Sequence, residues 1–268
     1  MKLTLTTFFL IAMSILNVQA ERKTITTNDF IVQYEDSTEN YAKASLKILE
    51  VVKSNAIKMG FIFSNKIELH IVKSDKVKLY VRGDIPNLIT WEFKSMTDFL
   101  SPQKSGGYNN VYGLCHEMGH LCMFNILNGN NNWMTRDDSE GWANYFGSLM
   151  IEHVYKDLGI KVWPDQHDYH ASRGMQAFLK SIKVNTSSKE KGFYYCSLFW
   201  YNLSSRIGQN NVSNLFYTIN LSDINISNSD IKFLDLLKAN KFDKDIIADF
   251  QKNKFYLLNN WSNIMSCF

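Results

Sequence analysis

The sequence predicts an α+β fold: a small sheet carrying one long helix, then a lobe built almost wholly of helices. Three observations predict it. Residues 66–73 alternate strictly, with Ile67, Leu69 and Ile71 on one side, the period of a strand with one buried face. Before them, Tyr41, Ala44, Ile48, Val51 or Val52, and Ile57 recur at helical spacing. Beyond residue 133 every periodic stretch has the helical period.

Taken in order, the chain opens with a segment that has the pattern of a secretory signal. Lys2 precedes residues 3–16, apolar apart from Thr4, Thr6, Thr7 and Ser14, and Val18-Gln19-Ala20 presents small residues for cleavage before Glu21-Arg22-Lys23. The apolar run is shorter than the roughly 20 residues of a spanning helix. No cysteine follows it to carry a lipid. The expectation is signal peptide 1–20 and a mature chain from Glu21, secreted or periplasmic, with no stable membrane anchor after cleavage.

Residues 30–34 form a short apolar strand candidate. Asp36 or Ser37 then caps the long helix, and Gly60 ends it. Strands follow at 66–73 and 88–93, with His70 on the polar side of the first, and a loop at 101–107. A helix runs from 109 or 110 to about 127, where Gly129 and Asn130 to Asn132 break it. Helical patterns then occupy 138–158, about 171–182, 192–207, 212–219, 230–239 and 243–252. The prolines, at 86, 102 and 164, all fall between elements. After the signal, residues 21–268 form one domain, with an α/β lobe to about 128 and a helical lobe from about 133.

Composition is that of an ordinary globular protein, 45% hydrophobic and 21% charged. A net charge of +3 without a Lys/Arg stripe excludes nucleic acid as a partner. Cys115, Cys122, Cys196 and Cys267 permit disulfides. The first two lie about 10 Å apart along one helix, too far to pair with each other. Either can pair with the later two, or both can pack as small hydrophobes. Six Asn-x-Ser/Thr sites are what chance produces in so Asn-rich a chain.

One stretch matches a reaction rather than a core: His116-Glu117-Met118-Gly119-His120. On a helix, His116 and His120 stand one turn apart on one face, so their imidazoles can converge on one ion. Zinc takes imidazole nitrogen, and a catalytic site needs three protein ligands and one open position. Glu117, between them, is placed to take a proton from the metal's water. A third histidine six residues on is excluded, because Ile126 stands there and Met123 replaces the associated glycine. Glu140, 20 residues past His120, opens the next helical pattern. A loop of this length can return that helix antiparallel to the first, bringing its first-turn carboxylate to the imidazoles.

His-Glu-x-Gly-His followed at this distance by Glu140-Gly141-Trp142-Ala143-Asn144-Tyr145 resembles the gluzincin metallopeptidases, most of all the branch of the leukotriene hydrolase and membrane aminopeptidases. The resemblance covers about residues 112–145, and more weakly reaches 208. It implies a thermolysin-like fold, in which a mixed sheet with an edge strand over the cleft precedes the motif helix and a helical lobe. It implies one zinc held by His116, His120 and Glu140, with Glu117 as general base. Asp137 and Asp138 lack the family's ligand spacing. Asn144 stands where some gluzincins place an acid that holds a ligand histidine, and its oxygen can still accept that N–H. The family's oxyanion-stabilising tyrosine is replaced by Lys189 if Glu190-Lys191-Gly192-Phe193 is aligned. Counting back from Arg206-Ile207-Gly208 points to Tyr194 and Tyr195 instead. His167 and His170 are the thermolysin-style alternative.

Two functions are thus expected to compete. One is a secreted zinc metallopeptidase acting on peptides or proteins, an endopeptidase or specialised processing enzyme rather than an aminopeptidase, because no segment matches that family's Gly-x-Met-Glu-Asn strand. The other is an inactive relative retained as a binding or scaffold protein, which the Asn at 144 and Lys at 189 would suit. The intact Glu117 argues for catalysis.

Overall fold

The computed structural model describes residues 22–75, 78–82, 85, 87–93, 110–127, 136–160, 197, 200, 204 and 208–221. The signal segment, Tyr194, Tyr195, His167, His170, Lys189, Cys196, Cys267 and the helices expected at 171–182, 230–239 and 243–252 lie outside them. The fold is mixed α/β. Strands β1 (Arg22–Thr26), β2 (Phe30–Glu35), β3 (Ile67–Lys73), β4 (Lys78–Val81) and β5 (Leu88–Phe93) form one sheet ordered β1-β2-β3-β5-β4. Helix α1 (Glu39–Lys58) connects the parallel pair β2 and β3, and β5 is parallel to β3. Both edges are antiparallel. Helices α2 (Asn110–Leu127), α3 (Arg136–Leu158) and α4 (Gln209–Leu221) follow.

The alternation of β2, β3 and β5 drives the assembly. Phe30, Val32, Ile67, Leu69, Ile71, Ile89 and Trp91 all point to one face and are buried there. Each such side chain contributes about 1.5–3 kcal/mol on leaving water. The stripe Ala42, Ile48, Leu49, Val52 and Ala56 of α1 covers part of that face, and α2 packs on β4 and β5. His70 on the polar face is partly buried and meets Glu68 Oε2 at 3.1 Å.

Several elements differ from the sequence expectation. β1 fills most of the interval expected to precede the first strand, and β4 lies where no strand is expected. Arg-Lys-Thr-Ile-Thr carries one apolar residue, and Lys-Leu-Tyr-Val is only four residues long. Neither shows a period, because edge strands are specified by their partner's open hydrogen bonds. Helix α1 opens through a 3-10 turn, Asp36–Thr38, without a side-chain cap, so neither Asp36 nor Ser37 acts as one. Gly60 does terminate it, at φ +89°, with Phe61 N–H returning to Ala56 O at 3.1 Å. Ser197, Trp200 and Ser204, the described residues of the 192–207 stretch, are helical and buried. Cys115 and Cys122 are buried and form no disulfide among the described residues.

Candidate metal centre

Helices α2 and α3 run antiparallel in very close contact. Small residues permit it. A Cβ on Gly119 would lie 3.0 Å from Ala143 Cα and 3.1 Å from Phe146 Cβ, and one on Gly147 would lie 3.2 Å from His116 Cα. The Trp142 indole N–H donates to Gly119 O at 2.8 Å. Its ring is locked among Phe61, Phe146, Trp200 and Phe216, with centroids 4.9–5.7 Å away. The first turn of α3 is thereby held in both rotation and depth.

That placement sets Glu140 opposite the two histidines. Its Oε2 lies 3.3 Å from His116 Nε2 and 3.8 Å from His120 Nε2, and the imidazoles stand edge to face at 4.9 Å. One donor atom from each of the three residues falls within 4.8 Å of the others, so the group could hold a metal ion. Ligand atoms placed tetrahedrally at zinc distances lie about 3.3 Å apart. The closest pair already has that separation, and the others, which lie within 4.8 Å, need to close by about 1.5 Å or less. Both histidine side chains are nearly buried, while the Glu140 side chain keeps 28% exposure, so the group is open to water on that side.

Electrostatics separate the two rings. Burial lowers the proton affinity of His116, but a hydrogen bond to Glu140, the charges of Glu117 and Glu140, and Asn144 together outweigh it, and its pKa is raised. His120 is pulled down to about 3 by burial and by His116, with Glu140 opposing. The surroundings of His116 thus favour a cation, while burial keeps His120 a neutral nitrogen donor. Glu117 is 5% exposed and close enough to His116 to act on it.

Around these residues stand groups that the sequence did not point out. Ser139 Oγ lies 3.2 Å from His120 Nδ1; in the tautomer that leaves Nε2 free, Nδ1–H donates to it. Phe124 stacks on the His120 ring at 5.9 Å. Tyr112 O–H donates to Asn144 Oδ1 at 2.9 Å. The legible signal for the crossing was Gly119, Ala143 and Gly147, small residues at helical spacing on two successive helices. Ser139 and Tyr112 left no comparable trace. Asn144 sits four residues past Glu140, on the same face of α3 and against His116. The backbone of Asp137 and Asp138 belongs to α3, but their side chains lie outside the description, as do Tyr194 and Tyr195. Comparison of the chain with protein-family models, with curated proteins and with solved structures finds no match in any of the three.

Proposed function

We propose that the chain is a zinc metallopeptidase of gluzincin type, exported from the cytoplasm, that hydrolyses internal bonds of peptides or proteins. The observation that carries this reading is the convergence of His116, His120 and Glu140 from two helices with Glu117 buried among them. The two imidazoles and the Glu140 carboxylate would hold the ion. A zinc ion supplies Lewis acidity toward a water molecule and a peptide carbonyl. The carboxylate of Glu117 takes the proton from the attacking water and delivers it to the departing amine nitrogen, which completes the hydrolysis. A purely structural site needs ligands but no base, and burying a further carboxylate beside them is costly. Glu117 therefore favours catalysis over the scaffold reading. Among the described residues no helix is long and apolar enough to cross a membrane.

The test is Glu117→Gln in the purified chain, assayed against a peptide library with metal content read in parallel. The expected outcome is retained metal with turnover lowered about 10²–10⁴-fold, the range of general acid–base catalysis. Wild-type chain that binds zinc but cleaves no library member would favour the scaffold reading.

A further inference from the structure

We propose that Phe124 is a positioning residue, whose flat ring fixes the plane of the His120 imidazole and so aims it at the ion. The inference rests on the metal reading of His116, His120 and Glu140. The outer side-chain torsion of a histidine joins a tetrahedral carbon to a planar one, and such torsions have broad wells rather than sharp staggered ones. The backbone of α2 therefore places the His120 ring but leaves its plane open. A ligand nitrogen presents its lone pair in the plane of its ring, so the neighbours of the ring have to set that plane.

His116, His120 and Phe124 recur at intervals of four residues on α2, so each stands beside the next, one turn along. The rings of His120 and Phe124 are nearly parallel, 15° apart in plane with centroids 5.9 Å apart. From the turn before, the His116 ring meets His120 edge to face, at 83° and 4.9 Å. Offset stacking and edge-to-face contact are the two arrangements that the charge distribution of flat rings favours. One plane satisfies both, parallel to Phe124 and perpendicular to His116. Swinging the His120 ring out of that plane weakens both contacts at once. Ser139 Oγ meets the ring at one atom, 3.2 Å from Nδ1, and a hydrogen bond tolerates some tilt. Both aromatic neighbours belong to α2, so the plane is set within that helix and does not wait for α3 to bring Glu140. Phe124 is also partly buried against the core. A leucine could fill much of that space, but it has no flat face.

The order of the His120 ring is read by 13C relaxation in the metal-free full chain. Zinc affinity is measured by chelator competition, and the absorption spectrum of the cobalt(II)-loaded chain reports ligand geometry. Phe124→Leu removes the flat face, and Phe124→Tyr keeps it. Phe124→Leu is expected to loosen the His120 ring, shift the cobalt spectrum and lower zinc affinity about tenfold, the lower end for loss of support around a ligand. Phe124→Tyr is expected to match wild type in each readout. A residue that only fills space would lower stability in Phe124→Leu and leave the ring order and the cobalt spectrum unchanged. A His120 ring as well ordered in Phe124→Leu as in wild type, or an affinity loss that Phe124→Tyr shares, overturns the proposal. Should Phe124→Leu fail to fold, Phe124→Met decides by the same criteria. A wild-type chain that binds no zinc contradicts the metal reading, whereas ring order in the metal-free chain still decides whether Phe124 sets the plane.

Discussion

His116 and His120 share one face of α2 yet hold their protons in opposite ways, and this gives the metal-free chain a defined response to acid. His120 has a folded pKa of about 3 against an ordinary 6.5, through burial and the neighbouring His116. The unfolded chain binds its proton first, so the stability it contributes is present above about pH 6.5 and is lost as pH falls toward 3. His153, lowered chiefly by burial, acts in the same sense. His116, whose pKa is raised, acts in the opposite sense: its contribution is present below the ordinary value and is lost as pH rises through the folded one. The large shift is that of His120, so its sense prevails. Tm of the metal-free chain should therefore fall between pH 7.5 and pH 5, and fall less in His120→Gln. A Tm that rises on acidification would contradict this assignment. Ser139→Ala removes the hydroxyl beside His120 Nδ1 and is expected to weaken zinc binding about 10-fold or more while leaving stoichiometry intact.

At the scale of elements, the ligand geometry depends on how closely two helices approach. Gly119→Ala would gain about 1 kcal/mol of helix propensity. Against that stands overpacking, which costs about 1–3 kcal/mol. The atoms a methyl group would strike are Ala143 Cα and Phe146 Cβ, which cannot rotate aside, so the cost prevails. Urea unfolding should show a net loss of about 1 kcal/mol, accompanied by weaker metal binding as Glu140 is displaced from the histidines. A variant at least as stable as wild type with full metal affinity would show that the helices have room to spare. Elements were legible in the sequence where burial imposes a period. Ile67, Leu69 and Ile71 announce β3, and the apolar stripe of α1 and Gly60 announce that helix and its end. β1 and β4 were not legible, because an edge strand's place is dictated by a neighbour distant in sequence. Nor was the missing cap of α1: Asp36 and Ser37 are good capping residues, but a 3-10 turn takes them up before the helix begins.

At the scale of the whole molecule, the sheet and α1 form a platform for α2, and α3 then brings a carboxylate to a face prepared 20 residues earlier. The spacing of His116, His120 and Glu140 could be read because one helical turn and one return loop are local rules. Ser139, Tyr112 and the aromatic cage of Trp142 could not, because their roles arise only once α2 and α3 are in contact. The chemistry of the site rests on these residues. The most direct measurement is the zinc stoichiometry and affinity of the purified chain beside Glu140→Ala. The expected result is one zinc per chain, with affinity reduced at least about 100-fold when one of three ligands is removed, as a loss of roughly 2.7 kcal/mol corresponds to two decades in binding. A wild-type chain that takes up no zinc, or a Glu140→Ala chain that binds it as tightly as wild type, would contradict the three-residue centre.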